Sequence, residues 1–321
     1  MNNLRILFMG TPEFAVASLG ALLINGYNVA GVVTSPDRPA GRGRKIHKTA
    51  VKEFAEFSRL PVLQPVSLKD PDFIDKLKEL NADVFVVVAF RMIPEIVWRI
   101  PPKGTINLHA SLLPHYRGAA PVNHVLINGE TTTGLTTFFI NDKIDTGNIL
   151  LREEIQIFPF ENAGDLSKRL MKLGARLIIK TLQGIAANNL QPKPQSLFLN
   201  PGETPKTAPK IFPENCIINW KEDVVKIHNL IRGLAPDPCA RAFFLKNDKT
   251  IMFKIFDSCP YISENNMPPG SIVSDGKNYL RISCGKGFLN ILTLQAEGKK
   301  KLGIQDFLRG FDLKETVLRI S

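Results

Sequence analysis

Asp83-Val-Phe-Val-Val-Val-Ala89 is the stretch whose reading decides the fold. Its five central residues are apolar with no alternation, whereas a strand wet on one face alternates polar and apolar side chains. The run is too short for an ordinary helix, so it predicts a strand buried on both faces inside a parallel sheet. On its N-terminal side, Leu4–Met9 and Tyr27–Thr34 read as further strands. Helical stripes lie between them and beyond: Phe14, Ala15, Leu19, Leu22 and Leu23, then Val51, Phe54, Ala55 and Phe57, then Phe73, Ile74, Leu77 and Leu80. On its C-terminal side come a short β-type run through Asn107 and His109, a strand over Gly134–Ile140, and a long amphipathic helix over Ala163–Ala187. Alternating β and α elements predict an α/β fold with a doubly wound, mainly parallel sheet. Reactive loops are then expected beyond the carboxyl ends of its strands.

The pattern changes after residue 189. Repeated prolines and Gly202 predict an extended linker over residues 190–208. Beyond it, a helix over Asp223–Leu230 precedes short strands over Thr250–Phe256, Gly270–Val273, Tyr279–Ser283 and Phe288–Leu294. Several short strands in so small a segment suggest a small β-barrel. The chain is therefore divided into a catalytic domain over 1–189, the linker, and a barrel domain over 209–321.

Composition narrows the class. The hydrophobic fraction of 44% in 321 residues is ordinary for a globular protein with an ample core. No apolar run approaches the roughly 18 residues a membrane span needs, so no membrane partner is expected. The spacing of Cys216, Cys239, Cys259 and Cys284 fits no metal site. Reduced thiols in a cytoplasmic protein are the expectation. Residues 1–204 hold 23 basic against 18 acidic side chains, and residues 205–321 hold 18 against 12. The C-terminal part is the more basic per residue, which suits a polyanionic partner.

The densest chemistry lies in residues 105–121, Thr-Ile-Asn-Leu-His-Ala-Ser-Leu-Leu-Pro-His-Tyr-Arg-Gly-Ala-Ala-Pro. Asn107 and His109 are two apart in a strand, so their side chains share one face while Leu108 points to the other. Asp145-Thr146-Gly147 supplies a carboxylate further on, although the tripeptide alone is equally an ordinary turn. An amide donor, an imidazole and a carboxylate converging on one carbonyl group make an acyl-transfer constellation. Asn107 and His109 would stabilise an oxyanion. Asp145 would orient the ring and take the proton lost by an attacking nucleophile. The other histidines lack such a setting. Met9-Gly10-Thr11-Pro12-Glu13 follows the first strand without a Gly-x-Gly-x-x-Gly, which argues against a dinucleotide site.

These residues carry a resemblance. Asn107-x-His109, then Ser111-Leu112-Leu113-Pro114-x-Tyr116-Arg117-Gly118, then Asp145-Thr146-Gly147, resemble the folate-dependent formyltransferases. So do Met9–Ala15, Ser35–Gly43, Ile231-Arg232-Gly233-Leu234-x-Pro236 and Asp306–Gly310. The resemblance implies a Rossmann-like formyltransferase domain followed by an OB-like barrel that binds tRNA. It implies transfer of formyl from 10-formyltetrahydrofolate to the free amino group of methionyl initiator tRNA, for translation initiation. The alternative within the class is formylation of a small amine, a nucleotide-linked aminosugar or glycinamide ribonucleotide. Asn107, His109 and Asp145 would be catalytic. Ser111, Leu112, Leu113 and Pro114, with Phe90 and Met92, would line the folate pocket. The basic stretch containing Arg38, Arg42, Arg44 and Lys45 would contact tRNA. No metal is implied, and a monomer is expected. The chain departs from the family pattern at Phe90-Arg91-Met92, where Tyr-Gly is usual. It departs again at Asn141-Asp142-Lys143, where Asp and Gly are usual, and at Pro238-Cys239-Ala240, where glycine usually follows proline.

Overall fold

In the computed structural model, residues 4–40, 45–246, 248–313 and 316–318 are described. The chain forms two compact units. The first comprises Met1–Gly118, Thr132–Ile155 and Ser167–Thr207; the second comprises Ala119–Thr131, Gln156–Leu166 and Ala208–Ser321.

The first unit is organised by β1 (Arg5–Gly10), β2 (Asn28–Val33), β5 (Val62–Leu63), β6 (Val84–Val88), β7 (Thr105–His109), β8 (Thr132–Phe139) and β9 (Ile149–Gln156). They make one seven-stranded sheet in the order β5-β2-β1-β6-β7-β8-β9. Pairing is parallel from β5 through to β7 and antiparallel between β7 and β8. Every residue of β6 is buried, as its unbroken apolar run requires. The order reverses between β1 and β6, so their carboxyl ends flank the crevice where such sheets place ligands.

The crossover helices begin where local chemistry favours it. In α2 (Ala50–Phe57) the Thr49 hydroxyl accepts from Lys52 N, and in α3 (Pro71–Glu79) the Asp70 carboxylate accepts from the amides of Asp72 and Phe73, with Pro71 in the first turn. α1 (Glu13–Ile24) starts after Pro12, and the short α4 (Glu95–Trp98) follows β6. Most of α6 (Ala163–Ala186) belongs to this unit. Gly174 lets it close on β7, because a Cβ there would lie 2.6 Å from the Leu108 side chain. Leu108 therefore faces α6, and alternation turns Asn107 and His109 to the opposite face. Within the basic stretch, β3 (Arg38–Ala40) and β4 (Lys45–His47) pair antiparallel. The Pro-rich stretch before residue 208 is anchored as well: Lys193 pairs with Ile149, and Lys206 O accepts from Tyr116 N at 2.6 Å.

The second unit includes the helices α5 (Pro121–Ile127), α7 (Val224–Leu234) and α8 (Ile304–Gly310). Its strands are β10 (Ala240–Lys246), β11 (Lys249–Tyr261), β12 (Ile272–Ser274), β13 (Leu280–Ser283), β14 (Phe288–Ala296), β15 (Leu302–Gly303) and β16 (Thr316–Leu318). They pair antiparallel in the order β12-β13-β14-β11-β10-β16, with β15 beside β14. The curled, OB-like sheet wraps a core of Trp220, Phe244, Phe253, Ile282, Leu289 and Leu294, against which Ile127 of α5 also packs. The helix expected over Asp223–Leu230 runs on to Leu234, capped by Asp223. The strand expected over Thr250–Phe256 runs on to Tyr261, with register shifts near Asp257. Among the described residues no helix is long and apolar enough to cross a membrane.

Candidate active site

The candidate site is built at the carboxyl end of β7. Asn107 lies level with Val87 on one neighbouring strand and Phe138 on the other; His109 lies level with Thr136. Phe138, Leu113 and Ile149 form a buried apolar cluster, with Phe198 packed against it. The Asn107 side chain is half-buried, and no hydrogen bond is made by its amide among the described residues. It is an available donor beside an apolar wall.

His109 is 6% exposed, and each ring nitrogen has a polar neighbour in the protein. Nε2 lies 2.8 Å from the Tyr116 carbonyl oxygen. A carbonyl only accepts, so Nε2 carries a proton and donates it. Nδ1 lies 3.7 Å from Asp145 Oδ2. That is within ion-pair reach but longer than a direct hydrogen bond. Nδ1 is thus the ring nitrogen left for proton exchange or for a reacting group.

Asp145 is held from several sides. Its Oδ2 accepts from Gly118 N at 3.0 Å. Its backbone has φ +53, the left-handed region that side chains other than glycine seldom occupy. Two residues on, a Cβ at Gly147 would lie 1.6 Å from the Phe139 carbonyl oxygen, so only glycine allows this turn against β8. Thr146 Oγ1 donates to Asn141 Oδ1 at 3.0 Å, which ties the unusual Asn141-Asp142-Lys143 stretch into the same turn.

Residues 116–118 act as a clamp. Tyr116, at φ +62, offers its carbonyl to His109; Gly118, at φ +122, offers its amide to Asp145. Between them Arg117 sends Nε and Nη2 to Gln195 Oε1 at 3.0 and 2.7 Å. Gln195 Nε2 in turn donates to the carbonyls of Asp145 and Gly147 at 2.8 and 2.9 Å. Burial lowers the Arg117 pKa, and the Asp145 charge opposes that shift. Gln195 escapes sequence reasoning, because a single glutamine in a Pro-rich stretch has no spacing that marks it.

Of the residues assigned to a folate pocket, Ser111, Leu113 and Pro114 are buried, Leu112 and Phe90 are half-buried, and Met92 is 73% exposed. The Thr136 hydroxyl donates to Ser111 O at 2.7 Å and accepts from Leu113 N at 3.1 Å. The Leu113 amide is therefore committed to the protein, and one of the two acceptor sites of the Ser111 carbonyl is filled. Phe90 packs on the core formed by Leu7, Met9 and Phe85. The Arg91 side chain donates to the carbonyls of Pro65 and Val66 at 2.5 and 2.9 Å. Partial burial followed by the Arg38 charge lowers its pKa. Of the cationic residues assigned to tRNA, Arg38 is exposed on β3 and Lys45 begins β4, whereas Arg42 and Arg44 lie outside the described residues.

Comparison with known proteins agrees with this architecture. Residues 4–182 match the formyl transferase family, and residues 210–312 match the formyl transferase C-terminal domain. The chain belongs to the formyl transferase family. Within it, the chain is 48% identical over 314 residues to the methionyl-tRNA formyltransferase of Bacteroides fragilis, covering 98% of this chain and 97% of that protein. To the methionyl-tRNA formyltransferase of Flavobacterium johnsoniae it is 47% identical over 315 residues, covering 98% of each. Among solved structures, an N-formyltransferase from Helicobacter canadensis, in complex with folinic acid and dTDP-3-aminofucose, aligns with a TM-score of 0.65 at 22% identity, over 93% of this chain and all of that one. HypX from Aquifex aeolicus, in complex with tetrahydrofolic acid, aligns with a TM-score of 0.62 at 17% identity, over 97% of this chain and 48% of that one. At these identities the structural likeness establishes the fold.

Proposed function

We propose that this chain transfers the formyl group of a folate-type donor, 10-formyltetrahydrofolate, to the free amino group of methionyl initiator tRNA. The observation that carries the substrate is the near-complete overlap with methionyl-tRNA formyltransferases at 48% identity, covering 98% of this chain. The chemistry rests on Asn107, His109 and Asp145. The amine nitrogen attacks the formyl carbon, a C–N bond forms, and negative charge collects on the formyl oxygen. The Asn107 amide donates to that oxygen; a preorganised donor of this kind contributes about 3 kcal/mol to the transition state. His109 is fixed through Nε2 to the Tyr116 carbonyl, which sets the direction of its ring beside Asp145. Asp145 takes the proton shed by the amine, directly or through water. The bond to the folate nitrogen then breaks, and that nitrogen regains a proton.

In the same reading, residues 1–189 do the chemistry, Ser111–Pro114 with Phe90 and Met92 border the folate, and residues 209–321 bind tRNA. Arg38, Arg42, Arg44 and Lys45 contact its phosphates. The excess of positive charge in residues 205–321 supports that division. The test is to supply charged initiator tRNA and 10-formyltetrahydrofolate, then read the esterified amino acid by mass spectrometry. Formylmethionine is expected. Unmodified methionine, with a nucleotide-linked aminosugar or glycinamide ribonucleotide formylated instead, would overturn the proposal.

A further inference from the structure

We infer that Gln195 is a positioning residue for the reaction, acting through Asp145. This rests on the catalytic reading of Asp145 given above. Gln195 is 5% exposed, and its amide uses all of its hydrogen-bonding capacity. The orientation of that amide is forced. Arg117 can only donate, so it must meet Oε1; the carbonyls of Asp145 and Gly147 can only accept, so they must meet Nε2. One buried side chain therefore joins the clamp at residues 116–118 to the turn at residues 145–147. The first of these carries the carbonyl that holds His109 Nε2 and the amide that holds Asp145 Oδ2. The second carries the carboxylate itself, on a backbone at φ +53 that the turn must hold in place. Gln195 closes the circuit and sets the 3.7 Å separation between His109 Nδ1 and Asp145 Oδ2.

Gln195→Glu tests this. The variant keeps an acceptor for Arg117 but turns lone pairs toward two carbonyls that need a donor. Displacing a catalytic group by about 1 Å costs up to about 100-fold in rate, so kcat should fall at least about tenfold while KM for tRNA and folate stays within about threefold. Asp145→Asn is measured in parallel, and then the double variant. Because Gln195 acts through Asp145, adding Gln195→Glu to Asp145→Asn should lower kcat no further. Gln195→Met, uncharged and of similar volume, is carried through the same measurements in case a buried carboxylate prevents folding. Wild-type kcat in the Gln195 variants, or losses that multiply with Asp145→Asn, would overturn the inference. So would loss of folate binding in both Gln195 variants, since the residue would then serve folding alone. Full activity in Asp145→Asn would instead sink the catalytic reading of Asp145.

Discussion

Replacing Thr136 with valine should destabilise the first unit out of proportion to the single atom changed. Thr136 is fully buried on β8, and its hydroxyl serves two backbone groups of the Ser111–Leu113 segment, donating to one carbonyl and accepting from one amide. Valine matches the shape but serves neither. Each buried backbone group left unpaired costs about 1–3 kcal/mol, and the added methyl recovers only part of this. The expected loss is about 2–4 kcal/mol. In a unit of this size, each kcal/mol shifts the melting temperature by about 2–4 °C, so a drop of roughly 5–15 °C should follow. Urea unfolding gives the free energy directly, provided the denaturant slope is unchanged. The same variant should raise KM for the folate donor, because the segment assigned to its pocket loses its tie to β8. A change below about 0.5 kcal/mol, the range of a neutral surface substitution, would refute the reasoning and show that water or another group serves those two atoms.

Other consequences are as open to measurement. Asn107→Ala should lower the single-turnover rate about 100- to 1,000-fold with folate affinity retained; an unchanged rate would remove Asn107 from the reaction. Gly147→Ala forces a Cβ to 1.6 Å from the Phe139 carbonyl oxygen, so the Asp145 turn must shift; kcat should fall about 100-fold, and full activity would show that the turn tolerates the change. His228 is buried, and burial followed by the Arg232 charge pushes its pKa down to about 4. The unfolded chain then binds the extra proton more readily, so the second unit is fully supported above about pH 6.5 and loses about 2–3 kcal/mol as pH falls toward 4. Urea midpoints of the wild type and of His228→Gln, compared at pH 7.5 and 4.5, should show a flatter dependence in the variant. Replacing Arg42, Arg44 and Lys45 together with alanine should raise KM for tRNA and flatten its salt dependence without changing folate affinity. An unchanged salt slope would count against the contact assigned to that stretch.

What the sequence disclosed depended on the range of the interaction. Val84–Val88 declares its burial by composition alone, and Thr49 and Asp70 mark their helix starts through bonds spanning two or three residues. The shared face of Asn107 and His109 was legible because side chains alternate along a strand, and β7 includes both. β10 was not: Ala240-Arg-Ala-Phe-Phe-Leu-Lys246 lacks β-branched residues and alternation, and its place is set by pairing along its whole length with β11. Likewise, Arg91 finds its carbonyl partners 25 and 26 residues away, and Gln195 finds its own 48 to 78 residues away. No local pattern encodes such partners. The left-handed backbone of Asp145 and Tyr116 has no local mark either, since neither residue is a glycine.

The route of the chain has a consequence for dissection. The second unit takes in Ala119–Thr131 and Gln156–Leu166 besides everything from Ala208 on. A cut at residue 209 would strip α5 from its own hydrophobic interior. Ile127 packs there, and a Cβ on Gly233 would lie 2.6 Å from the Ile127 side chain. The severed piece would expose that apolar seam to water and stick to its own kind. Grafting this half onto another scaffold, or inheriting it as a separate cassette, therefore requires two excursions from the other half to travel with it.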